Sequence, residues 1–210
     1  MLQMRHMQGV FCNAVVMRKA VFIICALAVT AAVVVGAIQA GNSDRAPKDS
    51  GQALSLADVS KPLAGAPADL AALHRQVNVL QGGGAQAFDA RLRALRGHPV
   101  VVNMWASWCE PCRFELPFLQ REAVSRGAKV AFLGINVNDA HAAARERAAQ
   151  FPMPYPSFED PRSAIFGRYH ARGLPTTAFY DARGKLVIVH QGVFPTQAKL
   201  AEAIDRYARS

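Results

Sequence analysis

The feature that most constrains the fold is a pair of cysteines placed between a predicted strand and a predicted helix. Residues 100–105 read VVVNMW, a nearly continuous apolar run that is typical of a strand buried on both faces of a sheet. A helix is predicted over Glu110–Arg126, with Pro111 in its first turn, where the missing N–H of proline is harmless. The CEPC motif of residues 109–112 therefore stands where the strand turns into the helix.

This placement favours thiol chemistry at Cys109. The free backbone N–H groups and the positive end of the helix dipole stabilise a thiolate there, and the thiolate is the species that attacks a disulfide. Cys112 lies three residues on, on the same helix face, within reach to resolve a mixed disulfide. The acidic Glu110 between them disfavours the Cys109 thiolate. Strongly oxidising dithiol proteins owe that property to a stabilised thiolate, so the acidic spacer predicts a couple that gives electrons away.

The distribution of cysteines favours a redox couple over a structural disulfide or a metal site. Cys12 and Cys25 lie before and within an apolar N-terminal run, which leaves Cys109 and Cys112 for the rest of the chain. A disulfide that closes so short a loop removes little entropy from the unfolded chain. A zinc site would need further ligands at metal spacing, and the histidines are dispersed. We predict a redox-active Cys109–Cys112 disulfide, with no metal and no cofactor.

The N-terminal region predicts a membrane anchor. Residues 20–40 carry no charge, and residues 20–38 as a helix span roughly 28 Å, close to the thickness of the bilayer's hydrocarbon core. The run is longer than a signal-peptide core, and residues 38–40 (IQA) match a cleavage site poorly, so an anchor is favoured over a cleaved signal. Arg18 and Lys19 predict that residues 1–19 are cytoplasmic. A single-pass plasma-membrane protein with an extracytoplasmic catalytic domain is expected.

The remaining sequence predicts a linker followed by one α/β domain. Residues 41–68 are rich in Gly, Ala, Ser, Pro and Asp, which is typical of a flexible linker. Residues 69–210 then alternate between helical and strand patterns. Helices are predicted over 70–80, 85–96, 110–126, 140–150, 162–170 and 197–208, strands over 100–105, 129–137, 176–180 and 185–190, and a Pro-rich loop over 151–161. In this order the first strands are joined by helices, which predicts parallel pairing, and the last two strands form an antiparallel hairpin. The sequence therefore predicts a three-layer α/β/α domain with a mixed sheet.

The stretch VVVNMWASWCEPC, followed by GLPTTAFYDARGKLV, resembles the thioredoxin superfamily, and more closely its membrane-anchored TlpA/ResA-like thiol–disulfide oxidoreductases. The resemblance covers residues 92–210 and implies a thioredoxin-like fold. It also implies that Pro175 is a cis-proline beside the active-site disulfide, with Thr176 as its neighbour in the site. Backbone next to such a proline can pair with an extended substrate segment.

The same resemblance bears on three further positions. Asn103 stands where cytoplasmic thioredoxins carry a buried aspartate, and an asparagine cannot take a proton, so a different base must serve Cys112. The resemblance points to Glu115, one helical turn beyond Cys112; the alternative is an ordinary exposed glutamate of a helix. Trp108 is expected to pack beside the attacking sulfur and shield it, whereas Trp105 is expected in the core.

These features predict an enzyme that reduces disulfides in exported proteins. Its partners would be protein disulfides and dithiols, together with an integral-membrane thiol donor that re-reduces the cysteine pair. The resemblance suggests apocytochrome c thiols, before haem attachment, as one client.

Other functions remain open at this point. A disulfide isomerase or oxidase would be favoured by a histidine in the spacer, which is absent. A copper-binding chaperone could use both cysteines and a histidine such as His190, although such proteins usually separate their cysteines by three residues. The net charge of +9 comes mainly from scattered arginines without an aromatic-interleaved basic stripe, which disfavours nucleic acid as a partner.

Overall fold

The computed structural model describes residues 52–209. The predicted cytoplasmic segment 1–19 and membrane anchor 20–40 lie outside the described residues. Between residues 52 and 209, no helix is both long and apolar enough to cross a membrane. The helices in this part are Leu56–Val59 (α1), Ala68–His74 (α2), Gly84–Ala94 (α3), Glu110–Arg126 (α4), His141–Gln150 (α5) and Gln197–Tyr207 (α6), with a short 3-10 helix at Phe166–Tyr169. The strands are Leu80–Gln81 (β1), Val100–Trp105 (β2), Ala131–Val137 (β3), Ser157–Asp160 (β4), Thr176–Tyr180 (β5) and Leu186–Gln191 (β6).

The strands form one mixed sheet in the order β1-β4-β3-β2-β5-β6. Strands β1, β4, β3 and β2 run parallel to one another. Strand β5 pairs antiparallel with β2 and forms an antiparallel hairpin with β6. The mixed α/β sheet that ends in a hairpin confirms the predicted fold class for this part of the chain.

Every residue of β2 is buried, because helices cover both faces of the sheet. Val101 and Trp105 pack with residues of α4 and α6, and this apolar cluster includes both active-site cysteines. Val100 and Met104 point to the opposite face and pack with residues of α2 and α3. The side chains of β2 alternate between the two faces because successive side chains of a strand point in opposite directions. The cysteine pair therefore belongs to the packed interior between the sheet and the α4–α6 layer.

The structure differs from the predicted linker of residues 41–68 over the part that it describes. Residues Leu56–Val59 form α1, and Val59 is completely buried. The side-chain amide of Gln120 in α4 accepts a hydrogen bond from the Leu54 N–H at 2.9 Å and donates one to the Leu54 carbonyl at 3.4 Å. This contact fixes the segment on α4. A single buried valine among small residues and prolines is too weak a pattern to predict it.

The predicted Pro-rich loop of residues 151–161 contains a strand. Its second half forms β4, and the Ser157 N–H donates to the Val79 carbonyl at 2.8 Å. The Ser157 hydroxyl accepts a hydrogen bond from Trp105 Nε1 at 3.0 Å. Gly134 on β3 leaves room for this serine, since a Cβ at that position would lie 2.0 Å from Ser157 Oγ. Strand β4 is thus specified by contacts that are distant in sequence, which the local proline content conceals.

Candidate active site

The two cysteines stand at the N-terminus of α4, directly after the loop that follows β2. Cys109 is the N-cap residue, with φ −85° and ψ 100°, and its sulfur accepts a hydrogen bond from the Cys112 N–H at 3.2 Å. The two residues form a disulfide, with their Cα atoms 5.3 Å apart. Cys109 is 4% exposed and Cys112 is 2% exposed. The structure therefore brings together the pair that the sequence predicts, in a site that is largely shielded from water.

A hydrogen-bonded clamp holds the loop that leads to Cys109. The carboxylate of Asp139 accepts hydrogen bonds from the N–H of Ser107 at 2.5 Å and from its hydroxyl at 2.6 Å. Arg147 on α5 donates to the Ser107 carbonyl at 3.0 Å. These contacts join the loop after β2 to the loop after β3 and so fix the entry angle of α4. They were not predicted, because they link residues at least 32 positions apart.

Two large aromatic side chains are exposed beside the cysteine motif. Trp108 is 60% exposed, and its indole N–H donates to the Asn138 carbonyl at 3.0 Å. Phe114 is 55% exposed and packs edge-to-face against Phe118, with ring centroids 5.3 Å apart. Trp105 is fully buried, as expected. The expected shielding of the sulfur by Trp108 stays a prediction, while the exposed rings add apolar surface that a protein substrate can contact.

Glu115 is completely buried, so the alternative of an exposed helix glutamate is wrong. Its Oε2 accepts a hydrogen bond from the Phe194 N–H at 2.8 Å, and its Oε1 accepts one from Asn103 Nδ2 at 3.4 Å. Burial raises the pKa of Glu115 to about 7, and the hydrogen bond from Phe194 opposes this change. A carboxyl group with this pKa, one helical turn from Cys112, can both take and return a proton at neutral pH.

Glu110 has an oppositely charged neighbour on the surface of α4. It forms an ion pair with Arg113 one turn along α4, and both side chains are largely exposed. The neighbouring positive charge and the surrounding water weaken the field of the Glu110 carboxylate at Cys109. Glu110 is therefore a smaller contributor to thiolate chemistry than its position in the motif indicates, whereas Pro111 occupies the first turn of α4 as predicted.

Pro175 lies at the end of the sheet where the cysteines stand. The Leu174–Pro175 peptide bond is cis, as the resemblance implies, and Pro175 is buried. Thr176 pairs with Met104, so the start of β5 lies beside the end of β2 that leads to Cys109. The Thr176 hydroxyl donates to the Gly173 carbonyl at 2.7 Å. The structure thus places Thr176 at the start of β5, beside the end of β2, and Pro175 directly before it. The roles of both residues in substrate binding stay predictions.

The copper-chaperone alternative would combine the two cysteines with a histidine such as His190. Over residues 52–209, no group of three or more His, Cys, Asp or Glu side chains is placed to hold a metal ion. His190 stacks on Phe194 instead, with ring centroids 3.9 Å apart. The site contains a cysteine pair in the disulfide form and a buried carboxyl group, which together suit thiol–disulfide exchange.

Comparison with known proteins agrees with this chemistry. Residues 76–189 match the model of the AhpC/TSA family. The thiol-disulfide oxidoreductase ResA of Geobacillus kaustophilus is 30% identical over 123 residues, which cover 58% of this chain and 68% of ResA. The thiol:disulfide interchange protein DsbE of Pseudomonas fluorescens is 39% identical over 100 residues, which cover 47% of this chain and 54% of DsbE.

Solved structures show the same fold. A thiol:disulfide interchange protein DsbE from Chlorobium tepidum superposes with a TM-score of 0.50 at 28% identity, covering 55% of this chain and 80% of that one. The structure of MTB DsbF gives a TM-score of 0.51 at 26% identity, covering 54% and 84%. The fold is thioredoxin-like, and the enzyme exchanges thiols and disulfides through its CEPC pair. The chain belongs to the AhpC/TSA family and, within it, to the thiol–disulfide oxidoreductases of the ResA/DsbE type.

Proposed function

We propose that this protein is a membrane-tethered, extracytoplasmic reductase of disulfides in exported proteins. The observation that carries the proposal is the burial of Glu115 next to a buried cysteine pair. Removal of water and a nearby carboxylate both disfavour a thiolate. A dithiol whose thiolate form is not stabilised gives up its electrons more readily than a strong oxidant does. The buried acid therefore supports the reductase direction more strongly than the exposed Glu110.

The reaction follows from the positions of the three groups. The reduced Cys109 thiolate attacks a substrate disulfide, forms a bond to one substrate sulfur and releases the other as a thiolate, which takes up a proton. Cys112 then transfers its proton to the Glu115 carboxylate, and its sulfur attacks the Cys109 sulfur. The bond between Cys109 and the substrate breaks, and the second substrate sulfur leaves as a thiolate that takes up a proton from water. The substrate gains two electrons and the enzyme becomes the disulfide form. An integral-membrane thiol donor must then re-reduce the pair.

Substrate binding can use the surface around the cysteines. The strand that begins after Pro175 lies beside β2, and backbone next to the proline can pair with an extended substrate segment. The exposed rings of Trp108 and Phe114 can pack on apolar side chains of the same segment. Apocytochrome c fits this proposal, because its haem-attachment thiols must be reduced and lie in an unfolded chain. The apolar segment of residues 20–40 would hold the domain at the membrane.

The redox potential tests the direction. Equilibration of the purified protein with dithiothreitol or glutathione should give a potential near that of thioredoxin, roughly −270 mV, and far from the roughly −120 mV of a strong oxidant. Glu110→Gln should change the potential by no more than about 30 mV, because Arg113 already compensates that charge. A wild-type potential close to the strong-oxidant value would contradict the reductase proposal and favour the oxidase alternative.

Trapping in cells tests the substrates and the tether. Cys112→Ala in the full chain removes the thiol that resolves the mixed disulfide between Cys109 and a substrate. Mixed disulfides with substrate proteins should therefore accumulate and be recovered from the membrane fraction. Cys109→Ala is the matched control and should trap far less, because the attacking sulfur is absent. Recovery of mainly cytoplasmic clients in the soluble fraction would argue against an extracytoplasmic, membrane-held enzyme.

A further inference from the structure

Unpaired polar atoms are concentrated around Glu115. Within residues 52–209, the buried side-chain atoms without a hydrogen-bond partner are Asn103 Oδ1, Thr177 Oγ1, His190 Nε2 and the Tyr155 hydroxyl. Asn103 contacts Glu115 directly. Tyr155 lies close enough that, after burial, the charge of Glu115 is the next cause that raises the pKa of the tyrosine. Buried polar groups almost always have partners, so an unpaired set around one carboxyl group requires an explanation.

Three of these residues form a row across the sheet. Asn103 on β2 pairs in register with Thr177 on β5, and Thr177 pairs in register with His190 on β6. Residues directly opposite one another on antiparallel strands project to the same face, with Cβ atoms roughly 4.5–5.5 Å apart. The row lies on the face covered by α4 and α6, where Glu115 is buried. It therefore runs from the carboxyl group of Glu115 to the imidazole of His190.

The far end of the row reaches the surface. His190 is partly exposed and borders a groove of about 260 Å³ next to α6. Its ring stacks on Phe194, and the N–H of that same residue binds Glu115 Oε2. The charged residues of α6 that border the groove are Lys199, Glu202 and Arg206.

We propose that Thr177 and His190, with a water molecule held between the unpaired atoms of the row, carry protons between Glu115 and this groove. The inference rests on the proposed function, in which Glu115 takes the proton of Cys112. A polar site of this kind can hold a water that makes two to four hydrogen bonds. The O–H bond of the Glu115 carboxyl breaks, the proton passes through the water to His190 Nε2, and the imidazolium loses a proton to water in the groove. One proton leaves the site, and no electrons move in the relay.

The electrostatic surroundings of His190 favour its neutral form, which has a ring nitrogen free to accept a proton. Burial lowers the pKa of His190, and a hydrogen bond with the Gly192 backbone opposes this change, so the ring is neutral at pH 7. On the α6 side, Glu202 lines the same groove as His190 and forms ion pairs with both Lys199 and Arg206. On the α4 side, the ring stacks on Phe194, whose N–H binds Glu115, and Tyr155 lies near that same carboxyl group. Because Glu202 is already paired with two basic side chains, Glu115 is the acid from which we expect His190 to receive a proton.

Matched variants of the purified full-length enzyme test the relay. His190→Phe keeps a ring against Phe194 and removes the nitrogens, and Thr177→Val keeps the shape and removes the hydroxyl. Each should slow single-turnover thiol–disulfide exchange at pH 7 about tenfold and enlarge the solvent deuterium isotope effect, while the redox potential stays at the wild-type value. The control is His141→Phe, because His141 is an exposed residue on α5 that pairs with Glu159, away from the row.

Chemical rescue separates proton transfer from packing. In His190→Ala, added imidazole should restore the exchange rate in proportion to the concentration of the neutral base. Wild-type rates in both His190→Phe and Thr177→Val would overturn the relay and leave the oxidoreductase function intact. A slowed His190→Ala variant that imidazole does not restore would also overturn it, since the histidine would then act through packing alone. A wild-type exchange rate in Glu115→Gln, by contrast, would contradict the proposed function, because Glu115 would then not take the proton of Cys112.

Discussion

Glu115→Gln is expected to raise the free energy of unfolding by about 3 kcal/mol at pH 8 and to change it little at pH 4. Burial raises the pKa of Glu115 from an ordinary 4.5 to about 7 in the folded protein. Below pH 4.5 the carboxyl group is protonated in both states, so it contributes no pH dependence. As the pH rises from 4.5 to 7, the unfolded chain loses this proton while the folded protein keeps it, and stability falls. Above pH 7 the loss is complete, and it amounts to about 1.36 kcal/mol for each pH unit that separates the folded and unfolded pKa values.

Glutamine removes this loss and fits the site. Its carbonyl can still accept the Phe194 N–H, and its amide can donate to the unpaired Asn103 Oδ1. Denaturant unfolding of both proteins, in the disulfide form, at pH 4, 6 and 8 measures the effect. Glu110→Gln is the control and should change stability by less than about 0.5 kcal/mol, because that side chain is exposed. A constant difference between Glu115→Gln and wild type across this pH range would contradict an ionisable buried carboxyl group.

The same substitution should slow thiol–disulfide exchange about 100-fold, since a positioned general base typically contributes at least that factor. The resolving step loses the group that takes the Cys112 proton. Asn103, which contacts the same position, cannot replace it because an amide does not take up a proton at neutral pH. The wild-type exchange rate should show an inflection near pH 7 when it is plotted against pH, and this inflection should disappear in the variant. The remaining pH dependence should come from ionisation of the thiols alone. Stopped-flow reduction of a disulfide peptide between pH 6 and 9 gives this profile.

The kinetic control is again Glu110→Gln, which should keep both the rate and the inflection. If Glu115→Gln exchanges at the wild-type rate throughout this range, Glu115 does not handle the proton. Taken with the stability measurement, the kinetic result separates a carboxyl group that is only buried from one that also takes part in the reaction. A more stable but slower enzyme is the outcome that the structure predicts.

Local sequence signals predicted the elements that carry the cysteines. Strand Val100–Trp105 and helix Glu110–Arg126 have the predicted bounds, because the apolar run, the proline of the first turn and the glycine after the helix act over a few residues. The resemblance led to Pro175 and Glu115, which periodicity alone could not distinguish from an ordinary turn proline and a surface acid. Burial of Glu115 depends on α6 and on the loop before it, more than 70 positions away.

What the sequence could not show depends on pairing between distant strands. Thr177 is one residue of a short apolar strand, and His190 appeared only as a possible metal ligand. Their alignment with Asn103 follows from the register of three strands, which no local pattern specifies. Strand β4 was missed for the same reason, since the prolines on either side of it indicate a loop while its partners on β1 and β3 make it a strand.

The attachment of residues 52–54 to α4 has a mechanical consequence. Arg121 donates to the Gln52 carbonyl at 2.8 Å, next to the contacts of Gln120 with Leu54. Gln120 and Arg121 lie about 17 and 18 Å along the helix from Cys109, at about 1.5 Å per residue. A force applied to the chain before Gln52 therefore acts first on these contacts with the helix that carries the two cysteines. Helix α4 thus carries the reactive cysteines at its N-terminus and holds residues 52–54 about three turns further along.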